Sequence, residues 1–255
     1  PFSGVIDLFE NDDFTMVNLE GAFTDETEHR GKPYCFRASP DYAECLTLGS
    51  VEAVSLANNH SRDYHEQGLA DTRAALEAEG VLYADEDAPL IVELRDGLTL
   101  GVAAFNAVER DGVYAVGDVD GYMRAISDDY AVLDAAGCDI KLMFVHWGWE
   151  YRTAPEGWMT ELAQRMAELG FDAVIGSHPH VLQKIEDMDG VPVFYSLGNF
   201  AYGGHSDPDD PDSAVLRLTV ERGEDGGCAV AGCELVPCSI SSTPGTNDFR
   251  PRVYT

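Results

Sequence analysis

Ser177-His178-Pro179-His180 sets two imidazoles two positions apart, directly after the apolar run 171–175 and the turn residue Gly176. A proline fixes its own φ and drives the residue before it out of the α region. The sequence therefore predicts an extended His178. In an extended segment residues i and i+2 point to one side, so both rings are expected to face a common centre. Neutral imidazole is the commonest protein ligand for metals and suits zinc, iron, manganese or nickel. The competing reading is a loop with two solvated histidines. The pair carries weight because related groups finish four other apolar runs.

Those runs are 14–19, leading through Asn18 to Glu20; 53–56, leading to Asn58, Asn59 and His60; 140–145, leading to His146; and 191–197, leading to Asn199. Polar groups just past the carboxyl ends of strands are where open α/β sheets build their sites. His146, His178 and His180 supply three imidazoles, Glu20 a carboxylate and Asn59 an amide oxygen. Such a mixed nitrogen and oxygen set suits one or two divalent ions (Mn, Fe or Zn) with open positions. Paired ions of this kind activate water and clamp the attacking and leaving oxygens of a displacement. Glu20 is the carboxylate placed to bridge two of them. His60 remains as the acid that protonates a leaving group, with Asp63 three residues on, able to fix its tautomer. Asp63 reads equally well as a helix N-cap. His29 and His65 sit in polar stretches and read as solvated. His205, beside an acidic loop, is within reach of the site. Trp147, Trp149 and Tyr151 can wall a pocket or pack in the core, and Glu150 is a weaker site candidate. Arg30, Lys32 and Arg37 form the one basic cluster near a site motif.

The elements that must position these groups alternate. Short strands are separated by helices expected at 5–10, at 40–48 behind Ser39 as N-cap, at 67–79 with Leu69, Thr72, Ala75 and Leu76 on one face, at 127–136 capped by Ser127, and at 156–169. Asp96-Gly97 predicts a hairpin between 90–94 and 99–105. A second hairpin is expected between 215–220 and 229–236. Strand–helix alternation implies an α/β fold with a largely parallel sheet.

Composition narrows the partners. Forty-six acidic residues against 16 basic ones give a formal charge of −30, which repels nucleic acid and anionic membrane surfaces. The excess reads as a solubility device for a salty or extracellular setting, while its field attracts divalent cations. Six cysteines form no C-x-x-C pair and read as small buried hydrophobes. No apolar run approaches the roughly 18 residues of a membrane span. The opening Pro1-Phe2-Ser3-Gly4 reads as the start of a trimmed piece of a longer chain.

Five segments then carry a family resemblance: VNLEG at 17–21, SLANNHSRD at 55–63, VHWGWEY at 145–151, VIGSHPHVLQ at 174–183 and YSLGNF at 195–200. Together they resemble the bacterial capsule-synthesis CapA family, involved in poly-γ-glutamate and placed in the calcineurin-like metallophosphoesterase superfamily. The resemblance implies one domain over 1–255 with a β-sandwich flanked by helices. It implies a parent protein that is extracytoplasmic and membrane-associated, in a capsule-synthesis membrane complex. By resemblance, Asn59, His146 and His178 bind one metal, His180 binds the other, Glu20 bridges, and His60 is the catalytic histidine. The superfamily's first strand ends in a Gly-Asp motif that supplies the first metal, and 1–14 contains no such strand. The expected fold therefore lacks that strand here, leaving the Asn59 centre the more complete. The activity implied is a phosphoesterase acting on an anionic polymer or phosphoester. A γ-glutamyl amide hydrolase or transferase, and a non-catalytic assembly component, are the alternatives.

Overall fold

A computed structural model describes residues 1–108, 117–204 and 210–254. The chain begins with α1 (Ile6–Phe9) and β1 (Met16–Asn18), then a parallel pair, β2 (Ala22–Phe23) and β3 (Arg37–Ala38). A 3-10 turn at Pro40–Ala43 runs into α2 (Glu44–Thr47). Ser39 stands at the N-cap of that turn, but its hydroxyl makes no cap bond. β4 (Ala53–Ser55), α3 (His65–Glu79) and β5 (Leu82–Ala84) follow, with Gly80 closing α3 in the left-handed region. β6 (Leu90–Glu93) and β7 (Thr99–Asn106) form the expected hairpin, turning through positive φ at Asp96 and Gly97. α4 (Val119–Ala135), β8 (Ile140–His146), α5 (Gly157–Leu169) and β9 (Ala173–Ser177) then alternate. The chain ends with the hairpins β10 (Ile185–Met188)–β11 (Val191–Phe194) and β12 (Asp212–Arg222)–β13 (Cys228–Ser239), and with β14 (Arg252–Val253).

Two sheets matter for the site. One has the order β1-β4-β5 and is wholly parallel; the other runs β10-β11-β9-β8-β7-β6, parallel through its four central members with antiparallel edges. Side chains alternate faces along a strand, and this alternation sorts the apolar residues into three cores. Met143 and Val145 of β8 face α4 and α5, alongside Ala103, Phe105 and Val174. Ile140 and Leu142 face the other way, into a core shared with Ala53 of β4, Ala84 of β5 and the half-buried Leu216 and Leu218 of β12. Val54 of β4 turns outward onto Leu69 and Leu76 of α3 and Leu46 of α2. The result is a layered sandwich: helices, six-stranded sheet, a second sheet layer, helices. Every fully buried Val or Leu in those cores contributes about 1.5–3 kcal/mol, so register is strongly specified. β1 lies at an edge; among the described residues it pairs with β4 alone, and its three residues are half-buried.

Some local expectations need correction. The helix expected from Ser127 starts at Val119, where Asp118 caps it by accepting a 2.9 Å bond from the Gly121 N–H. Ser127 lies inside that helix and donates to the Met123 carbonyl one turn back, at 2.6 Å, the way a helical serine satisfies itself. The strand expected over 191–197 ends at Phe194 and pairs with β10, a strand not among those expected from the sequence. All six cysteines are free, and only Cys138 and Cys238 are buried. Among the described residues no helix is long and apolar enough to cross a membrane.

Candidate metal centre

The five polar strand ends meet on one rim. Parallel pairing brings them level: β8 and β9 are in register His146 to Ser177, and β1 and β4 in register Asn18 to Ser55. Glu20 follows β1, and Asn58 to His60 follow β4. His146 ends β8, the two further histidines follow β9, and Asn199 follows β11. The Glu20 carboxylate, 19% exposed, lies 4.0 Å from His60 Nε2 and 3.8 Å from both His146 Nε2 and His180 Nε2. One ligand atom each from Glu20, His146 and His178 fall within 4.8 Å of one another. Asn59 Oδ1 is 2.8 Å from His146 Nε2, close to the spacing of adjacent ligands on one ion, about 3 Å for bonds near 2.1 Å.

The side chains behind these groups fix their aim. Ser177 Oγ lies 2.8 Å from His146 Nδ1, and Asn199 Oδ1 lies 2.8 Å from His180 Nδ1. In both rings the Nδ1 contact leaves Nε2 facing Glu20, the second-layer arrangement that metal-binding histidines use. Asn58, fully buried, joins two strand ends: its amide donates to Asn18 Oδ1 at 3.1 Å and to the Leu19 carbonyl at 2.8 Å, and its oxygen accepts from the His60 N–H. Asn18 in turn donates to Glu20 Oε2 at 3.1 Å.

His60 and Asp63 form a pair. Nδ1 of His60 is 2.8 Å from Asp63 Oδ2, which also accepts from the Phe36 N–H at 2.7 Å. Lys32 forms an ion pair with the same carboxylate and donates to the Asn59 carbonyl at 2.7 Å. Burial pushes the Asp63 carboxyl up, but the bonds from His60, Lys32 and Phe36 outweigh it and hold the group below the usual range. Asp63 is therefore the partner of His60; Tyr64 holds the N-cap position of α3. Phe36 packs against the His60 ring with centroids 4.4 Å apart.

The extended conformation expected at His178 does not form. β9 stops at Ser177, and His178 and His180 both take positive φ, 94° and 61°. The chain bends here because two backbone bonds tie it to the β8 loop: Trp147 N–H to the Ser177 carbonyl at 3.1 Å and Tyr151 N–H to the Pro179 carbonyl at 2.8 Å. The two ring centroids stand 5.9 Å apart, with one nitrogen of each ring within 4.8 Å of the other. His178 leans on His146 at 4.8 Å, while His180 lies between Tyr151 and Tyr202, each at 6.0 Å.

Electrostatics favour neutral rings. Burial, followed by the neighbouring imidazoles, lowers His146 well below its ordinary value and pushes His178 down to about 3. Burial raises the Glu20 carboxyl against the pull of His180 and His60. His178 Nδ1 is buried and has no hydrogen-bond partner. An unpaired buried ring nitrogen costs roughly 1–3 kcal/mol, and a cation would relieve it. The donor set and that orphaned nitrogen both fit a divalent ion.

The remaining candidates separate cleanly. Trp147 is core: fully buried, it donates its indole N–H to the Tyr195 carbonyl at 2.9 Å, above Gly176, where a side chain would meet that carbonyl and the indole. Trp149 and Tyr151 are exposed, as are His29 and His65. Glu150 comes within reach of His178 and His180. His205 lies outside the described residues. Sequence reasoning missed Ser177 and Lys32 as supports; the β8–β9 register could have revealed Ser177.

A family model described as "Bacterial capsule synthesis protein PGA_cap" matches residues 1–203. The PGA biosynthesis protein CapA of Bacillus subtilis is 29% identical over 213 residues, covering 79% of this chain and 56% of its own length. A probable polyglutamine synthesis accessory protein of Mycobacterium tuberculosis is 30% identical over 273 residues, covering 94% of this chain and 70% of that protein. The chain thus spans just over half of the Bacillus relative. Among solved structures, TT1561 of Thermus thermophilus aligns with a TM-score of 0.45 and 11% identity, covering 69% of this chain and 72% of its own.

Proposed function

This chain belongs to the bacterial capsule synthesis protein family, and from that premise we propose that it is a metal-dependent hydrolase of the phosphoesterase type. Its substrate is an anionic polymer or phosphoester of capsule, poly-γ-glutamate or other cell-envelope polymer metabolism. The reading rests on one observation: a half-buried carboxylate, Glu20, within 4.0 Å of three histidine Nε2 atoms brought from separate strand ends. Asn59, His146 and His178 would hold one divalent ion with Glu20, and His180 faces a second position. A bound ion supplies Lewis-acid polarisation of the scissile group and a nucleophilic water at neutral pH.

The chain's own residues do the rest. His60 gives a proton from Nε2 to the leaving oxygen, its ring fixed by Asp63 at Nδ1. Asp63 stays ionised because Lys32 and the Phe36 N–H hold it. Ser177 and Asn199 keep the His146 and His180 rings from rotating. Lys32 is taken up by Asp63, so an anionic substrate on a chain of charge −30 depends on bound cations for attraction. The reading extends to a parent protein at the outer face of the membrane beside a capsule-synthesis complex, which fractionation of the native host would check.

The direct test is metal analysis of the purified chain with a chromogenic phosphodiester assay under added Mn²⁺. Turnover that appears with Mn²⁺ and disappears on chelation is expected. A chain with no affinity for any divalent ion and no turnover under any of them sinks the reading. Sizing poly-γ-glutamate after incubation distinguishes amide cleavage from phosphoester cleavage.

A further inference from the structure

We infer that Glu150 is a metal ligand, completing with His180 a second divalent-cation position built within this chain, beside the ion that His178 would hold with Asn59 and His146. The inference rests on the metal-centre reading above and names a residue for its less complete half. One carboxylate oxygen of Glu150 and one ring nitrogen from each of His178 and His180 lie within 4.8 Å of one another. Donors on one ion at about 2.1 Å stand roughly 3–4 Å apart, so at 4.8 Å or less the Glu150 and His180 donors stand close to ligand spacing.

Glu150 is exposed, and an exposed carboxylate alone would mean little. Its backbone setting is what gives it meaning. Gly148 and Tyr151 flank it at positive φ, 80° and 60°. Eight non-glycine residues among those described have positive φ, and three of them are Tyr151, His178 and His180. Each such conformation costs on the order of 1–3 kcal/mol and persists where the surroundings enforce it. Here the enforcing contact is the 2.8 Å bond from Tyr151 N–H to the Pro179 carbonyl, which joins the residue after Glu150 to the residue between the two histidines. Gln183 adds a second tie, donating to the Arg152 carbonyl at 2.7 Å. Two strained loops are thus stapled together in a way that presents this carboxylate to these rings.

His178 is the ring on which the two donor groups meet. It is 6% exposed and its Nδ1 has no partner. It belongs both to the group with Glu20 and His146 and to the group with Glu150 and His180. The Asn199 contact at His180 Nδ1 leaves the other nitrogen of that ring open.

The test is stoichiometry, read without reference to turnover. The purified chain is stripped, reloaded with Mn²⁺, and compared with Glu150→Ala by equilibrium dialysis and by electron paramagnetic resonance. Glu150 is exposed, so the variant is expected to fold, with its melting temperature as the check. Two Mn²⁺ per wild-type chain with an exchange-coupled spectrum, against one uncoupled Mn²⁺ in Glu150→Ala, is the expected result. The lost ion corresponds to a fall in affinity of at least 10–100-fold. Two ions retained by the variant overturn the role of Glu150 and leave the metal reading standing. A single ion in both proteins overturns the second position while sparing the first. No bound ion in either protein overturns both readings.

Discussion

On the side of β1 and β4, side chains hold side chains. Asn58 ties His60, Asn18 and the Leu19 carbonyl together, and Asp63 is gripped by His60, Phe36 and Lys32. On the side of β8 and β9, Ser177 and Asn199 hold one nitrogen each of His146 and His180, and the backbone holds the rest. His178, His180 and Tyr151 sit at positive φ, backbone bonds fasten the two loops, and one buried imidazole nitrogen is left without a partner. The first side is satisfied as it stands. The second is arranged for a guest. A polar network that is complete without a ligand suits a group that must move a proton, whereas strain and an orphaned nitrogen suit groups that wait for an ion.

Replacing one histidine on each side tests that division most sharply. His60→Ala should lower turnover of the chromogenic diester by about 10²–10⁴-fold, the usual worth of a positioned acid, with Mn²⁺ affinity unchanged. His178→Ala should weaken Mn²⁺ binding by at least about 10–100-fold, and turnover with it. Calorimetric titration beside steady-state kinetics reads both. Equal loss of ion affinity in the two variants would dissolve the distinction.

Acid should take the two sides apart at different points. His178, pushed down to about 3, stays neutral in the fold, while an unfolded chain protonates it near 6.5. Its contribution is complete above pH 6.5 and shrinks by up to about 1.4 kcal/mol per pH unit as the pH falls toward 3. Asp63 is held below the usual carboxylate range, against about 3.9 unfolded. Its contribution survives down to about pH 4 and goes only below that. Melting curves of the chelated protein from pH 8 to 3 should show His178→Gln flattening the upper limb and Asp63→Asn the lower one. An unchanged upper limb in His178→Gln would mean that its burial is not what acid attacks.

The smallest effect belongs to a support. Ser177→Ala removes the 2.8 Å contact at His146 Nδ1, and should cost about tenfold in Mn²⁺ affinity, the lower end for an outer partner of a ligand. A loss as large as that of His178→Ala would make Ser177 a ligand in its own right.

Much of this was legible from residue types alone. Strand ends rich in Asn, Glu and His could be read because each apolar run stops where its polar residue begins, and parallel pairing then levels the ends. What the sequence hid was mostly backbone. Pro179 argues for an extended His178, but two bonds from the β8 loop outweigh that local preference. Ser127 imitates a cap because its bond to Met123 is invisible without the helix in place. Asp63 was ambiguous between cap and partner until the loop carrying Lys32 and Phe36 folded over it, a contact 27 residues away in the chain for Phe36. The approach of Glu150 to His178 and His180 was hidden for the same reason: it depends on a turn that no propensity predicts.

The sandwich has one more consequence. His146, His178 and His180 hang from the six-stranded sheet, while Glu20 and Asn59 hang from the three-stranded one. An ion shared between them is therefore a clasp across the gap between two sheets whose joint filling is otherwise apolar. At an ion concentration about 100 times its dissociation constant, binding stabilises a folded chain by about 2.7 kcal/mol. Such an ion would place that energy on the seam itself, and β1, the half-buried edge strand that leads to Glu20, would be the first element to loosen when the clasp is opened.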